Sequence, residues 1–119
     1  MRYIEVWNEP DQWWREAHIP ETYIEPQEYA AMLSAAADGH QGQLTHATHK
    51  YPLGIRHADP SAKVVMGGLA ELNPCYVEEM IDWFENERQE QYHLPFDVVN
   101  YHHYSRNGGV DKTIEQYCA

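Results

Sequence analysis

Glu9 lies in the stretch YIEVWNEPDQWW, residues 3 to 14, directly after a run of β-forming residues and between Asn8 and Pro10. A carboxyl fixed at a strand end can give or take a proton when a reacting atom is held within hydrogen-bond reach, and is otherwise a polar residue in a turn. Around it stand Trp7, Trp13 and Trp14, whose flat apolar faces and polar edge suit stacking on sugar rings. Downstream, His102 and Tyr104 in "NYHHYS" are two residues apart, so an extended backbone projects both from one side. Glu71 and Glu5 are the other carboxylates placed to face Glu9. Glu71 is expected in a solvated loop, and Glu5 lower on the same side of the strand as Glu9, either paired with a basic group or facing water. His46 and His49 have a loosely metal-like spacing but no third ligand at a telling offset, so neither a metal nor another cofactor is expected.

Composition narrows the ligand. Eight basic against 19 acidic residues give a formal charge of −11, and no Lys/Arg cluster offsets it, which argues against nucleic acid and an anionic membrane surface. A neutral carbohydrate meets no such penalty. Hydrophobic residues make up 43 % of the chain, in keeping with a folded core, and no apolar run reaches the roughly 18 residues of a membrane span. Met1-Arg2 leads straight into a strand with no apolar signal segment, so the expectation is either cytoplasmic synthesis or a secreted or periplasmic parent whose leader has been removed. Cys75 and Cys118 match no metal spacing. They are expected to be free or buried thiols, with a disulfide as the alternative.

The elements that must position these groups follow from periodicity. Ile4 and Val6 alternate with Tyr3, Glu5, Trp7 and Glu9, a strand signature that puts both glutamates and Trp7 on one side. Residues 12 to 25 lack sustained periodicity and read as a loop. Pro26 suits a first helical turn, Tyr29, Met32, Leu33 and Ala36 mark one buried face, and Gly39 closes the helix. A short helical turn is expected near Leu53 to Ala58, then a strand in "KVVMGG" from Lys63 to about Gly68. Asn73-Pro74 opens a second long helix whose stripe is Val77, Met80, Ile81 and Phe84. "FDVVNYHHYS" predicts a third strand with Val98, Asn100, His102 and Tyr104 sharing one side, and residues 114 to 118 suggest the start of a further helix.

Strands alternating with helices and no hairpin signal predict an α/β unit of about three parallel strands. The first strand-helix turn carries "NEPDQWW" where a doubly wound nucleotide-binding sheet would place a glycine-rich loop. Polar residues at strand ends suit a (β/α)8 TIM barrel instead, where function gathers at the C-terminal ends of the strands. At that point "YIEVWNEPD", "ADPSAKVVMGGL" and "DVVNYHHYS" together resemble the fourth-to-sixth strand segment of the clan A retaining glycoside hydrolases. The resemblance implies a (β/α)8 barrel, Glu9 as the general acid/base, Asn8 on the sugar 2-hydroxyl, and His102 and Tyr104 lining the sugar site. Trp7, Trp13 and Trp14 are the candidate stacking residues.

The same resemblance implies a partial barrel. A whole one takes about 250 residues, so residues 1–119 are expected to hold a central piece without the first three and last two strands. The clan's nucleophile, a second glutamate on the seventh strand, would then lie outside this chain. The expectation is a segment acting on β-linked poly- or oligosaccharide that is inactive alone and that self-associates or pairs with the rest of a barrel. The alternative is a non-catalytic carbohydrate-binding or structural fragment.

Overall fold

The computed structural model describes residues 1–12, 23–39, 54–70 and 72–102. Among these the chain is mixed α/β, with the elements β1 (Tyr3–Val6), α1 (Pro26–Asp38), α2 (Ile55–Ala58), β2 (Lys63–Met66) and α3 (Pro74–Glu87), then a 3-10 turn at Glu90–Tyr92. β1 and β2 form a parallel sheet in the register Tyr3 with Lys63 through Val6 with Met66. The expected loop tryptophans Trp13 and Trp14, together with His46, His49, Glu71, Tyr104 and the suggested last helix, lie outside the described residues.

The expected third strand is only partly formed. Residues 98 to 101 run parallel to β2, on the side away from β1, through isolated bridges of Val65 with Val98 and Leu69 with Tyr101. Four residues separate the two bridge positions on the β2 side and three on the other, so β2 carries one extra residue, a bulge that interrupts the ladder. It falls at Gly67-Gly68. A Cβ at Gly67 would lie 2.8 Å from the carbonyl oxygens of Val6 and Trp7, and one at Gly68 would lie 2.5 Å from His102 Nε2. The first meets backbone and leaves no room for a side chain, and the second would displace the His102 ring.

Val64 and Met66 point from the sheet into a core made with Tyr29, Leu33, Tyr76, Met80 and Phe84 of α1 and α3. Each such apolar side chain, fully buried, stabilises by about 1.5–3 kcal/mol. α3 starts where Asn73-Pro74 predicts, with Asn73 Oδ1 accepting the Tyr76 N–H at 3.2 Å. Its buried positions are Tyr76, Met80 and Phe84, with Val77 and Ile81 at the margin. The face of α1 is rotated from the apolar pattern. Tyr29, Ala30, Leu33, Ser34, Ala37 and Asp38 are buried, while Met32 and Ala36 are half-buried. The cause is Arg88, just past α3, whose guanidinium reaches Ser34 Oγ at 2.5 Å and Asp38 Oδ2 at 2.6 Å and so makes burial of both polar side chains tolerable.

Cys75, in the first turn of α3, is disulfide-bonded, which corrects the expectation of a free thiol. Disulfide formation depends on Cα approach in space, and separation along the chain carries no information about that. Cys118 lies outside the described residues.

Candidate functional site

β1 ends at Val6, short of the alternation that runs on to Glu9, because the backbone turns through positive φ at Trp7 (74°) and again at Glu9 (47°). For a residue as bulky as tryptophan this is a strained conformation, costing on the order of 1–3 kcal/mol. Two substitutes for ladder bonds hold the splayed strands together. The Tyr29 hydroxyl, rising from α1, donates to the Val6 carbonyl at 2.8 Å and accepts the Gly67 N–H at 2.6 Å. The Glu5 carboxylate accepts the Gly68 N–H and the Asn100 side-chain amide through Oε1, both at 2.9 Å. Glu5 was expected to meet a basic group or water; its partners here are neutral donors, one of them an N–H that the bulge removes from the ladder.

Past this point the backbone re-engages. Glu9 N–H donates to the Gly68 carbonyl at 2.8 Å, and His102 N–H donates to the Leu69 carbonyl at 2.8 Å. Two consecutive carbonyls of one chain segment therefore fix the two residues relative to each other. Their side chains meet, with His102 Nδ1 2.8 Å from Glu9 Oε1. The Glu9 side chain is 13 % exposed and that of His102 30 %. Glu5 bonds Asn100 and Glu9 bonds His102, so the expected common side of Glu5 with Glu9, and of Asn100 with His102, is realised as two successive rungs.

Trp7 is 58 % exposed and Asn8 is exposed beside it, so both are open to a ligand. The pair Glu9/His102 is the part of the expected site that the fold brings together. Tyr104, Trp13 and Trp14, also expected there, lie outside the described residues. Among the described residues no group of three or more His, Cys, Asp or Glu side chains is arranged to hold a metal ion.

Asp11 and Tyr29 join the site without having been anticipated. The Asp11 carboxylate is buried, accepts the Ala70 N–H at 2.7 Å and bonds the Asn73 side chain, tying the turn after Glu9 to the start of α3. Tyr76 of α3 adds a second tie, its hydroxyl donating to the Ile24 carbonyl at 2.6 Å while Ile24 N–H donates to the Pro10 carbonyl at 2.8 Å. Tyr29 shows only as one position of an apolar helix face in sequence. Its burial pushes the phenol up to about 12, so it stays a neutral hydroxyl that can donate and accept at once. Tyr29→Phe is expected to leave the Gly67 N–H and the Val6 carbonyl unpaired at a cost of about 1–3 kcal/mol, measurable by urea denaturation.

Burial raises the Asp11 carboxyl above its ordinary value of 3.8, against the lowering by its hydrogen bonds to Ala70 and Asn73. The folded state therefore holds this proton more tightly than the unfolded state. The contribution of Asp11 to stability is fullest below the ordinary value and declines as pH rises through the raised folded value. Asp11→Asn, which keeps an acceptor for the Ala70 N–H, is expected to remove that decline. Urea midpoints of the two proteins measured from pH 3 upward should diverge in favour of the variant.

Comparison of the chain with models of protein families, with curated proteins and with solved structures gives no match.

Proposed function

We propose that this chain is the segment of a retaining glycoside hydrolase barrel that supplies the general acid/base, with Glu9 as that group and β-linked poly- or oligosaccharide as substrate. The observation that carries the reading is the Glu9 carboxylate, at the C-terminal end of a parallel strand, 2.8 Å from His102 Nδ1 on the second strand along. Supporting it, the three extended segments lie side by side in chain order, with α1 and α3 packed against one face. Tyr3, Trp7, Val99 and Tyr101 are each more than half exposed, as suits a sheet that further barrel strands and helices would cover. The disulfide at Cys75 suits a parent exported to an oxidising compartment.

Retention requires two carboxyls about 5–5.5 Å apart, one protonating the leaving oxygen and one attacking the anomeric carbon. In this reading His102 holds Oε1 of Glu9, donating its Nδ1 proton when the carboxylate is charged. Oε2 then carries the proton to the departing glycosidic oxygen, and the same carboxylate later takes a proton from the water that releases the sugar. Trp7 offers an apolar face for a sugar ring and Asn8 a partner for its 2-hydroxyl. The nucleophile comes from elsewhere in the barrel.

The stereochemistry of the first product tests this. With an aryl β-glycoside and the complete barrel, proton NMR should show the β-anomer first, and the 119-residue chain alone should show no hydrolysis. First formation of the α-anomer, or clear turnover by the chain alone that Glu9→Ala abolishes, would overturn the reading.

A further inference from the structure

We infer that Glu5 is a positioning residue that sets the Glu9–His102 pair by anchoring the bulge between them. The kinetic part of this inference rests on the glycoside hydrolase reading; the structural part does not. Its basis is a continuous path. The bulge at Gly67-Gly68 leaves the Gly68 N–H without a ladder partner, and Glu5 Oε1 takes it at 2.9 Å. The carbonyl of the same Gly68 receives Glu9 N–H at 2.8 Å. On the far side, Glu5 Oε1 also takes the Asn100 side-chain amide at 2.9 Å. The Asn100 carbonyl receives Leu69 N–H at 3.1 Å, and the Leu69 carbonyl receives His102 N–H at 2.8 Å.

One carboxylate oxygen on the chain segment that carries Glu9 thus ties the Gly68 backbone to the side chain of Asn100, two residues before His102. Gly68 is the place where this matters most, because His102 Nε2 lies 2.5 Å from where its Cβ would stand. A shift of the backbone at Gly68 moves both the acceptor of Glu9 N–H and the wall against which His102 rests. One side-chain oxygen with two lone pairs can accept both neutral donors at once.

The test compares Glu5→Ala, Glu5→Gln and Asn100→Ala by two measurements. Long-range proton–nitrogen NMR of the His102 imidazole reads whether Nδ1 remains hydrogen-bonded, and kcat and KM on an aryl β-glycoside are taken in the complete barrel. Glu5→Ala is expected to shift the Nδ1 resonance towards its unbonded position and to lower kcat about 10²-fold, the scale of an ångström-level misplacement, with KM within about twofold. Glu5→Gln, whose amide oxygen can accept both bonds, should restore the resonance and recover kcat to within about threefold of the parent. Asn100→Ala should move the resonance in the same direction as Glu5→Ala, and with Glu5→Gln it decides the matter if Glu5→Ala does not fold. An Nδ1 resonance unchanged in Asn100→Ala, or a Glu5→Gln protein as impaired as Glu5→Ala, would overturn the inference. A responsive resonance in a protein whose complete barrel cleaves no glycoside would refute the hydrolase reading and leave the positioning role of Glu5 standing.

Discussion

Glu9→Gln, placed in the complete barrel of the proposed hydrolase, is expected under that reading to lower turnover of glycosides with poor leaving groups by about 10²- to 10⁴-fold, the contribution of a positioned general acid. The side chain keeps its length and an oxygen for His102 Nδ1, which lies 2.8 Å from Oε1 in the parent. The loss is therefore of the proton and not of the geometry. Its size should depend on the leaving group. An activated aryl glycoside departs without protonation, so formation of the glycosyl-enzyme should be nearly spared, and a burst of phenol followed by slow steady-state release should appear. Uniform loss across leaving groups would argue that the substitution disturbs the fold, and unchanged turnover would remove Glu9 from the chemistry altogether. A carbohydrate-binding role without catalysis would show sugar affinity with no leaving-group dependence to measure.

Arg88→Ala is expected to cost about 3–5 kcal/mol, the usual price of leaving one member of a buried ion pair uncompensated. That is a large share of the roughly 5–15 kcal/mol by which a domain is stable. The Arg88 side chain is 1 % exposed and that of Asp38 4 %. Besides Ser34 and Asp38, the guanidinium donates to the carbonyls of His93 at 2.8 Å and Tyr92 at 3.0 Å, and it lies 6.0 Å from the centre of the Phe84 ring. Burial lowers the Arg88 pKa, and the bond to Asp38 opposes that shift. The network continues through Arg56, which contacts Asp38 at 3.3 Å and Asp97 at 3.5 Å, while Asp97 Oδ2 accepts the Val64 N–H at 2.8 Å. All of this sits at the N-terminal end of the strands, away from Glu9. Urea denaturation should show the loss in Arg88→Ala. Arg88→Met combined with Asp38→Leu should recover much of it, because two apolar residues leave no charge stranded. A loss under about 1 kcal/mol in the single variant would mean that water or Arg56 compensates Asp38.

Local signals in the sequence located the elements well. Asn73-Pro74 and Pro26 mark helix starts that the structure keeps to the residue, because capping and the fixed φ of proline act over a few neighbouring residues. Alternation in "YIEVWNEP" and "DVVNYHH" placed Glu5, Glu9, Asn100 and His102 on faces that do meet. The pairing of particular residues was not legible, since it depends on the one-residue bulge at Gly67-Gly68 and on the positive φ at Trp7 and Glu9. A glycine pair signals flexibility and does not say which carbonyl it will present. The burial of Ser34 and Asp38 was hidden for a related reason. Their partner Arg88 is about 50 residues downstream, and a helix-face pattern counts a polar residue as solvated until a distant cation is brought to it. Tyr29 shows the converse case, an apolar-face residue whose hydroxyl turns out to bridge two strands.

The most direct test of Glu9 as the acid/base is chemical rescue of Glu9→Ala in the complete barrel by azide, with an activated aryl β-glycoside as substrate. An acid/base variant leaves the covalent intermediate formed from the other carboxylate and opens space beside it, so azide should restore turnover and the product should be the β-glycosyl azide, with configuration retained. Formation of the α-glycosyl azide would make Glu9 the nucleophile, and the absence of any rescue would contradict the assignment of Glu9 as the general acid/base.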